Sequence, residues 1–177
     1  MVFGVLGSKE VAPLVSDGGW TILHYAAKGE LEVVKSQMQH GAEVDAKLDD
    51  GSTVLLLAAL NQKWDWLVEH GADVNTADNA GWTILHSAAS SGKLDVVNSL
   101  VEYGLDIKAV DNEGWTVLHS ATRSREVDVV KWLIEDGTDT EATDSDGVTV
   151  LEIIMWHFSN PDVAMFVLSY LQSTPIQ

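Results

Sequence analysis

One short motif recurs five times along this chain and constrains its fold more than any other feature. The copies read GGWTILHYAA, DGSTVLLLAA, AGWTILHSAA, EGWTVLHSAT and DGVTVLEIIM, each with a glycine two residues before a threonine. The glycines follow one another at intervals of 30 to 33 residues, at Gly19, Gly51, Gly81, Gly114 and Gly147. Self-similarity at a fixed period of this length predicts a stack of repeated units rather than one globular core.

The pattern within one period predicts two short antiparallel helices and a projecting turn. Thr83 lies where the first helix should begin and can accept backbone N–H bonds there, and the small residues Ala88 and Ala89 allow a neighbouring helix to approach closely. The following stretch LDVVNSLVEY has the apolar spacing of an amphipathic helix, and Gly104 suits a left-handed terminator. One such unit cannot bury its apolar faces alone, so the units are expected to stack into a solenoid.

The period, the Gly-X-Thr-X-Leu-His-X-Ala-Ala stretch and the later Gly-Ala-Asp-Val-Asn stretch resemble the ankyrin repeat. The resemblance implies an all-α solenoid of stacked helix–turn–helix units with projecting β-turn hairpins. It covers residues 16–171, and it divides the chain into an N-terminal capping or partial repeat (1–15), five units (about 16–47, 48–77, 78–110, 111–143 and 144–171) and a C-terminal tail (172–177).

Two units depart from the pattern. The second is three residues short between its helices and has Leu56 in place of the histidine, which predicts an irregular joint in the stack. The fifth replaces the small pair by Ile154 and Met155 and carries Pro161 at the predicted start of its second helix, as an atypical terminal repeat would.

The seven tryptophans divide by repeat position. Trp64 aligns with valines of other second helices and is expected in the core, while Trp66 and Trp132 share a position that predicts a half-buried outer layer. Trp156 is expected to cover the end of the core. The remaining three, Trp20, Trp82 and Trp115, all lie between the glycine and the threonine, where the hairpin meets the first helix.

Charge and composition narrow the classes of partner. Ten Lys and Arg against 27 Asp and Glu give a formal net charge of −17, which repels phosphate backbones and anionic membranes and favours a basic peptide or protein. The chain has no cysteine, so disulfides and thiolate metal sites are excluded. Its start does not read as a secretory signal and its apolar runs are short, which predicts a soluble, intracellular (cytoplasmic) protein.

His24, His86 and His119 occupy one repeat position and raise the question of a metal or catalytic site. Stacked helices lie about 8 to 10 Å apart, so residues one period apart form a row, whereas zinc needs ligands about 2 Å from one ion. We therefore expect each imidazole to bond to threonine and turn backbone, with no metal and no cofactor. The sequence also lacks the motifs of a catalytic triad or a phosphate loop.

The resemblance implies a concave face that meets partners, formed by the residue after each glycine, the two before it and the end of the first helix. On this chain the corresponding side chains combine aromatic rings with carboxylates. The candidate partner-binding residues are Trp20, Asp49, Asp50, Ser52, Asn79, Trp82, Asn112, Glu113, Trp115, Arg123 and Asp146. The same repeat positions also include Asp17, Lys28, Leu60 and Asn61.

These features predict a non-catalytic module that binds a basic and apolar protein or peptide. A partner cation between Trp82 and Trp115, near Glu113, would gain cation–π attraction of about 0.5 to 2 kcal/mol. The alternative for these rings is to brace adjacent turns. Two other functions stay open: a small-molecule binder or enzyme with a tryptophan-lined pocket and Asp17, Glu113 or Asp146 as acid or base, and the recognition arm of a larger regulatory protein.

Overall fold

The computed structural model describes residues 17–29, 31–59, 63–157 and 161–173. After a single 3-10 turn at Asp17–Gly19, its helices come in pairs. Their bounds are α1 Ile22–Lys28, α2 Leu31–Gln39, α3 Val54–Ala58, α4 Trp64–Glu69, α5 Ile84–Ser90, α6 Leu94–Glu102, α7 Val117–Arg123, α8 Val127–Glu135, α9 Val150–His157 and α10 Pro161–Ser173.

The helices form two layers. Each odd-numbered helix packs against the even-numbered helix that follows it and against the next odd-numbered helix, so α1, α3, α5, α7 and α9 form one continuous row. Contacts between α6, α8 and α10 form the second row. This arrangement confirms the predicted all-α solenoid, in which every unit buries its apolar face against its neighbours.

A hairpin precedes each of the helices α3, α5, α7 and α9. Isolated antiparallel bridges close the hairpins, among them Ala77 to Thr83 and Val110 to Thr116. The bridging threonine then begins the helix: Thr116 has extended backbone, and its hydroxyl accepts the His119 N–H at 3.2 Å. The threonine therefore joins the hairpin to the helix, as the sequence predicts.

The core runs along the whole stack. In the third unit Ile84, Leu85, Ala88 and Ala89 are buried, and α6 contributes Val97 from the opposite layer. The two alanines are fully covered because α7 packs closely on α5. The expectation that small residues permit this close contact is confirmed.

Several expectations about single residues can be compared with the structure. Trp64 is buried, Trp66 and Trp132 are half-buried, and α10 begins at Pro161, all as predicted. Gly104 has φ of 106°, the left-handed backbone expected of a helix terminator.

One expectation is wrong. Trp156 does not cover the end of the core, because 65 % of its surface is exposed. It lies in the last turn of α9, at the repeat position of the exposed Arg123.

Some predictions concern residues outside the described ranges. These are the capping segment 1–15, most of the tail 172–177, and the joint of the second unit with Leu60 and Asn61. The side chains of Asp17 and Lys28 also lie outside the described part of the chain. The division into five units at the stated boundaries stays a prediction. Within the described residues, no helix is long and apolar enough to cross a membrane.

Candidate protein-binding face

The hairpin tips are joined to one another by main-chain hydrogen bonds. The Asn79 N–H donates to the Asp50 carbonyl at 2.9 Å, and the Asn112 N–H donates to the Ala80 carbonyl at 2.9 Å. Equivalent bonds join Asp49 to Gly18 (3.0 Å) and Ser145 to Glu113 (2.7 Å). We call this series the tip ladder. It places the tips in one row, so their side chains form a continuous edge.

Two asparagines of the predicted face strengthen the ladder. The Asn79 side-chain amide donates to the Asp49 carbonyl at 3.1 Å, and the Asn112 amide donates to the Asn79 carbonyl at 2.9 Å. Both side chains are therefore occupied in joining units, although both residues are exposed. Their role in partner binding stays a prediction.

An aspartate three residues before the glycine fixes the hairpin in each of the last three units. Asp111 Oδ1 accepts the backbone N–H groups of Glu113 (2.9 Å) and Trp115 (2.8 Å). Asp78 and Asp144 make the same pair of bonds in their own hairpins. The role of these aspartates was not predicted, although their constant spacing before the glycine is visible in the sequence.

The three repeated histidines lie beneath the hairpins. His86 Nδ1 accepts the N–H and the hydroxyl of Thr83 at 3.2 and 2.8 Å, and its Nε2–H donates to the Trp115 carbonyl of the next unit at 3.1 Å. His119 has matching bonds to Thr116 and to the Val148 carbonyl, the latter at 3.4 Å. His24 bonds to Thr21 in the same way, but its Nε2–H donates to the Ala46 carbonyl at 3.0 Å, at a different repeat position. The expectation that these imidazoles bond to threonine and turn backbone is confirmed.

Burial decides the charge of these imidazoles. Desolvation lowers the pKa of His24, His86 and His119 below the ordinary histidine value, and it outweighs the backbone carbonyl bonds and nearby aspartates that would raise the pKa. All three are neutral at pH 7. A neutral ring suits the observed geometry, in which one nitrogen accepts and the other donates.

Each tryptophan of the predicted face packs on the histidine of its own unit. The ring centroids lie 5.2 Å apart for Trp82 and His86, 5.9 Å for Trp115 and His119, and 6.0 Å for Trp20 and His24. All three tryptophans are half-buried, so each ring covers a buried imidazole and keeps part of its surface exposed. Each of these tryptophans can therefore brace its own hairpin and still contact a partner.

The third and fourth units form a groove of about 440 Å³. Trp82 and Trp115 line it, with Glu113 and Asp111 on the hairpin side and Arg123 on the helix side. Ala80, Ser90, Ser120 and Ser124 complete the lining. Glu113, Arg123 and Ser124 are exposed, so the groove is open to solvent.

Arg123 changes the expected use of the Trp115 ring. Its guanidinium carbon lies 4.9 Å from the centroid of that ring, within cation–π range. The chain therefore places its own cation over the aromatic face where the sequence analysis expected a partner cation. The Trp82 ring carries no such cation among the described residues.

Only some of the predicted partner-binding residues line this groove. Trp82, Glu113, Trp115 and Arg123 line it together. Asp49, Asp50 and Asp146 are exposed at the tips of other hairpins, and Trp20 and Ser52 are half-buried in the first two units; none of the five is in the lining. In the part of the chain that the structure describes, no cluster of His, Asp and Glu could hold a metal ion.

Comparison with protein families gives the same architecture. A family model described as ankyrin repeats in three copies matches residues 23–111, 64–144 and 98–172. The chain belongs to the ankyrin-repeat family. Ankyrin repeats are protein–protein interaction modules.

Two curated proteins are similar over about half of the chain. One is the Saccharomyces cerevisiae protein named probable 26S proteasome regulatory subunit p28, 37% identical over 90 residues, which cover 48% of this chain and 40% of that protein. The other is the Mus musculus RelA-associated inhibitor, 33% identical over 82 residues, which cover 45% of this chain and 10% of that protein. The aligned segment thus spans less than half of the length of either relative.

Proposed function

We propose that this ankyrin-repeat chain is a non-catalytic module that binds a protein or peptide in the groove between its third and fourth units. The observation that carries the proposal is the pairing of two half-exposed tryptophans, Trp82 and Trp115, in an open groove edged by carboxylates. Tryptophan dominates the binding energy of many interfaces because it buries a large area with little loss of conformational freedom.

The charge of the molecule supports a partner with basic and apolar character. The chain carries a net charge of −17, and Asp49, Asp50, Glu113 and Asp146 are exposed along the edge formed by the tip ladder. Such a field accelerates the approach of a cationic partner and slows the approach of an anionic one. The proteasome regulatory subunit and the RelA-associated inhibitor, by their names, also act through association with other proteins.

A pair of substitutions tests the groove. Partners are captured with the intact chain and identified by mass spectrometry, and the affinity of the purified partner is then measured for the wild type and for Trp82→Ala with Trp115→Ala. We expect the double variant to weaken binding about thirtyfold or more, as loss of a hot spot of about 2 kcal/mol does.

Trp66→Ala provides the matched control. Trp66 is also half-buried, but it stacks on His70 in the outer helix layer, 3.8 Å between centroids, away from the groove. Circular dichroism and thermal melting check that all variants are folded. Equal affinities for the double variant and the wild type would exclude the groove as the binding site.

A further inference from the structure

The two tryptophans of the groove differ in how their indole N–H groups are used. Trp82 Nε1–H donates to the Ser87 hydroxyl at 3.0 Å. The matching serine under Trp115 is Ser120, which is buried and directs its own hydroxyl to the Thr116 carbonyl at 3.3 Å. No residue that the structure describes accepts a hydrogen bond from Trp115 Nε1–H, and Trp115 lines the groove.

Arg123 supplies further donors at the same place. Its guanidinium lies over the Trp115 ring, and it forms no ion pair and no hydrogen bond with any residue that the structure describes. A guanidinium carries five N–H donors in a planar fork that matches a carboxylate. Both Trp115 and Arg123 thus present unused donors to the groove.

The opposite wall has the opposite charge. Glu113 is exposed at the hairpin tip, and its carboxylate has no ion-pair partner within the described ranges. The backbone carbonyl of Glu113 is already used in the tip ladder, which fixes the position of this residue. The groove therefore has a cationic side at the end of α7, an anionic side at the hairpin and indole rings between them.

We propose that this groove binds a partner segment that carries both an acidic and a basic side chain. The segment binds in one chain direction, because the two walls of the groove have opposite charge. A carboxylate of the segment binds Arg123 and the Trp115 indole N–H, an apolar side chain lies on the Trp82 ring, and a basic side chain pairs with Glu113. This inference rests on the proposed function, and it adds one acidic residue to a partner segment that is otherwise basic and apolar.

Charge disfavours the two simpler occupants, a wholly acidic segment and a wholly basic one. A wholly acidic segment would be repelled by Glu113 and by the net charge of −17. A wholly basic segment would face Arg123 with a like charge and would leave its donors without acceptors. A segment with both an acidic and a basic side chain can pair with Arg123 on one wall and with Glu113 on the other.

Short synthetic peptides provide the test. Peptides made of Leu, Lys and Glu in every order, with both termini capped to remove terminal charge, are tested against the full chain by fluorescence anisotropy. We expect the best peptides to contain one Glu, and replacement of that Glu by Gln to weaken binding about tenfold. Reversing the order of Lys and Glu should weaken binding to a similar extent, because the two walls differ.

Arg125 provides a matched control for Arg123. Arg123→Gln and Arg125→Gln remove the same charge two residues apart, and Arg125 is exposed but does not line the groove. Arg123→Gln should abolish the preference for Glu over Gln, while Arg125→Gln should keep it. Trp115→Phe should reduce the preference more than Trp82→Phe, because only Trp115 has an unused N–H.

The outcomes separate this inference from the proposed function. If purely basic peptides bind best and Arg123→Gln leaves the ranking unchanged, the mixed-charge inference is wrong while the groove still binds peptides. If no peptide binds, or if Trp82→Ala with Trp115→Ala has no effect on binding, both the inference and the proposed groove are wrong.

Discussion

The second and third units have the same fold but different chemistry at three matched positions. In the third unit Asp78 holds the hairpin backbone and His86 bonds to the next unit. The second unit has Leu48 and Leu56 at those positions, and both are buried. Ser52 replaces the tryptophan, and its N–H is held by the Asp50 carboxylate at 2.9 Å.

The difference shows which parts of the repeat the stack requires. The tip ladder passes through the second unit without interruption, from Gly18 through Asp49 and Asp50 to Asn79. Backbone bonds and a buried apolar layer therefore suffice to stack a unit. The aspartate, tryptophan and histidine occur together only in the third and fourth units, the two units that form the groove.

The largest effect is expected from His86→Leu, which gives the third unit the residue of the second. The substitution leaves the Thr83 N–H and the Trp115 carbonyl without the buried partner that they share. We expect a loss of about 3 kcal/mol in the free energy of unfolding, measured with urea. His40→Leu removes an exposed histidine whose ring bonds, within the described residues, only to the Ser36 carbonyl, and it should cost less than 1 kcal/mol. Equal losses would contradict the special role of the buried ring.

Two glycines provide the next comparison. Gly81 has φ of 84°, and a Cβ there would lie 2.9 Å from the Asn112 backbone nitrogen, whereas a Cβ on Gly147, with φ of 79°, would meet nothing within 4 Å. Gly81→Ala should cost about 2 kcal/mol, from left-handed backbone strain and displacement of the next hairpin, and Gly147→Ala about 1 kcal/mol from strain alone. Thermal melting of both variants measures the difference; identical melting temperatures would show that contact between hairpins adds nothing.

Acid should destabilise the units that contain buried histidine. The pKa of His86 and His119 is lowered in the folded chain, so below the unfolded value of about 6.5 the unfolded chain binds more protons. Stability is therefore complete above about pH 6.5 and falls as the pH decreases, by at most about 1.4 kcal/mol per pH unit for each histidine. Urea unfolding from about pH 7.5 to 5.5 checks this. A slope that is unchanged in His86→Leu would contradict the assignment.

The smallest effect concerns Arg125, the one non-glycine residue with positive φ in the described ranges, at 64°. The matching residue of the third unit is Gly92, which adopts φ of 67° without a side chain. Arg125→Gly should relieve part of the strain and raise the free energy of unfolding by about 0.5 to 1 kcal/mol. A loss of stability in urea would show that the arginine side chain contributes more than its backbone costs.

The repeat pattern was sufficient to predict the solenoid, the threonine helix starts and the bonds of the buried histidines. It could not predict that Arg123 lies over Trp115, because this contact depends on the rotamer of a side chain at the end of α7. The prediction that Trp156 covers the end of the core was wrong, because its repeat position is exposed in the fourth unit as well, where Arg123 occupies it. The spacing of Asp78, Asp111 and Asp144 was available in the sequence, and it identifies the hairpin anchors once their regularity is noticed.

The tip ladder also sets the order in which the stack opens. The steps that end at Asn79 and Asn112 have two hydrogen bonds each, one from the main chain and one from the side-chain amide. The first and last steps, at Asp49 and Ser145, have the main-chain bond alone. Fraying should therefore begin at the two ends and slow at the asparagine steps, so that amide protons exchange last in the middle units, beside the groove.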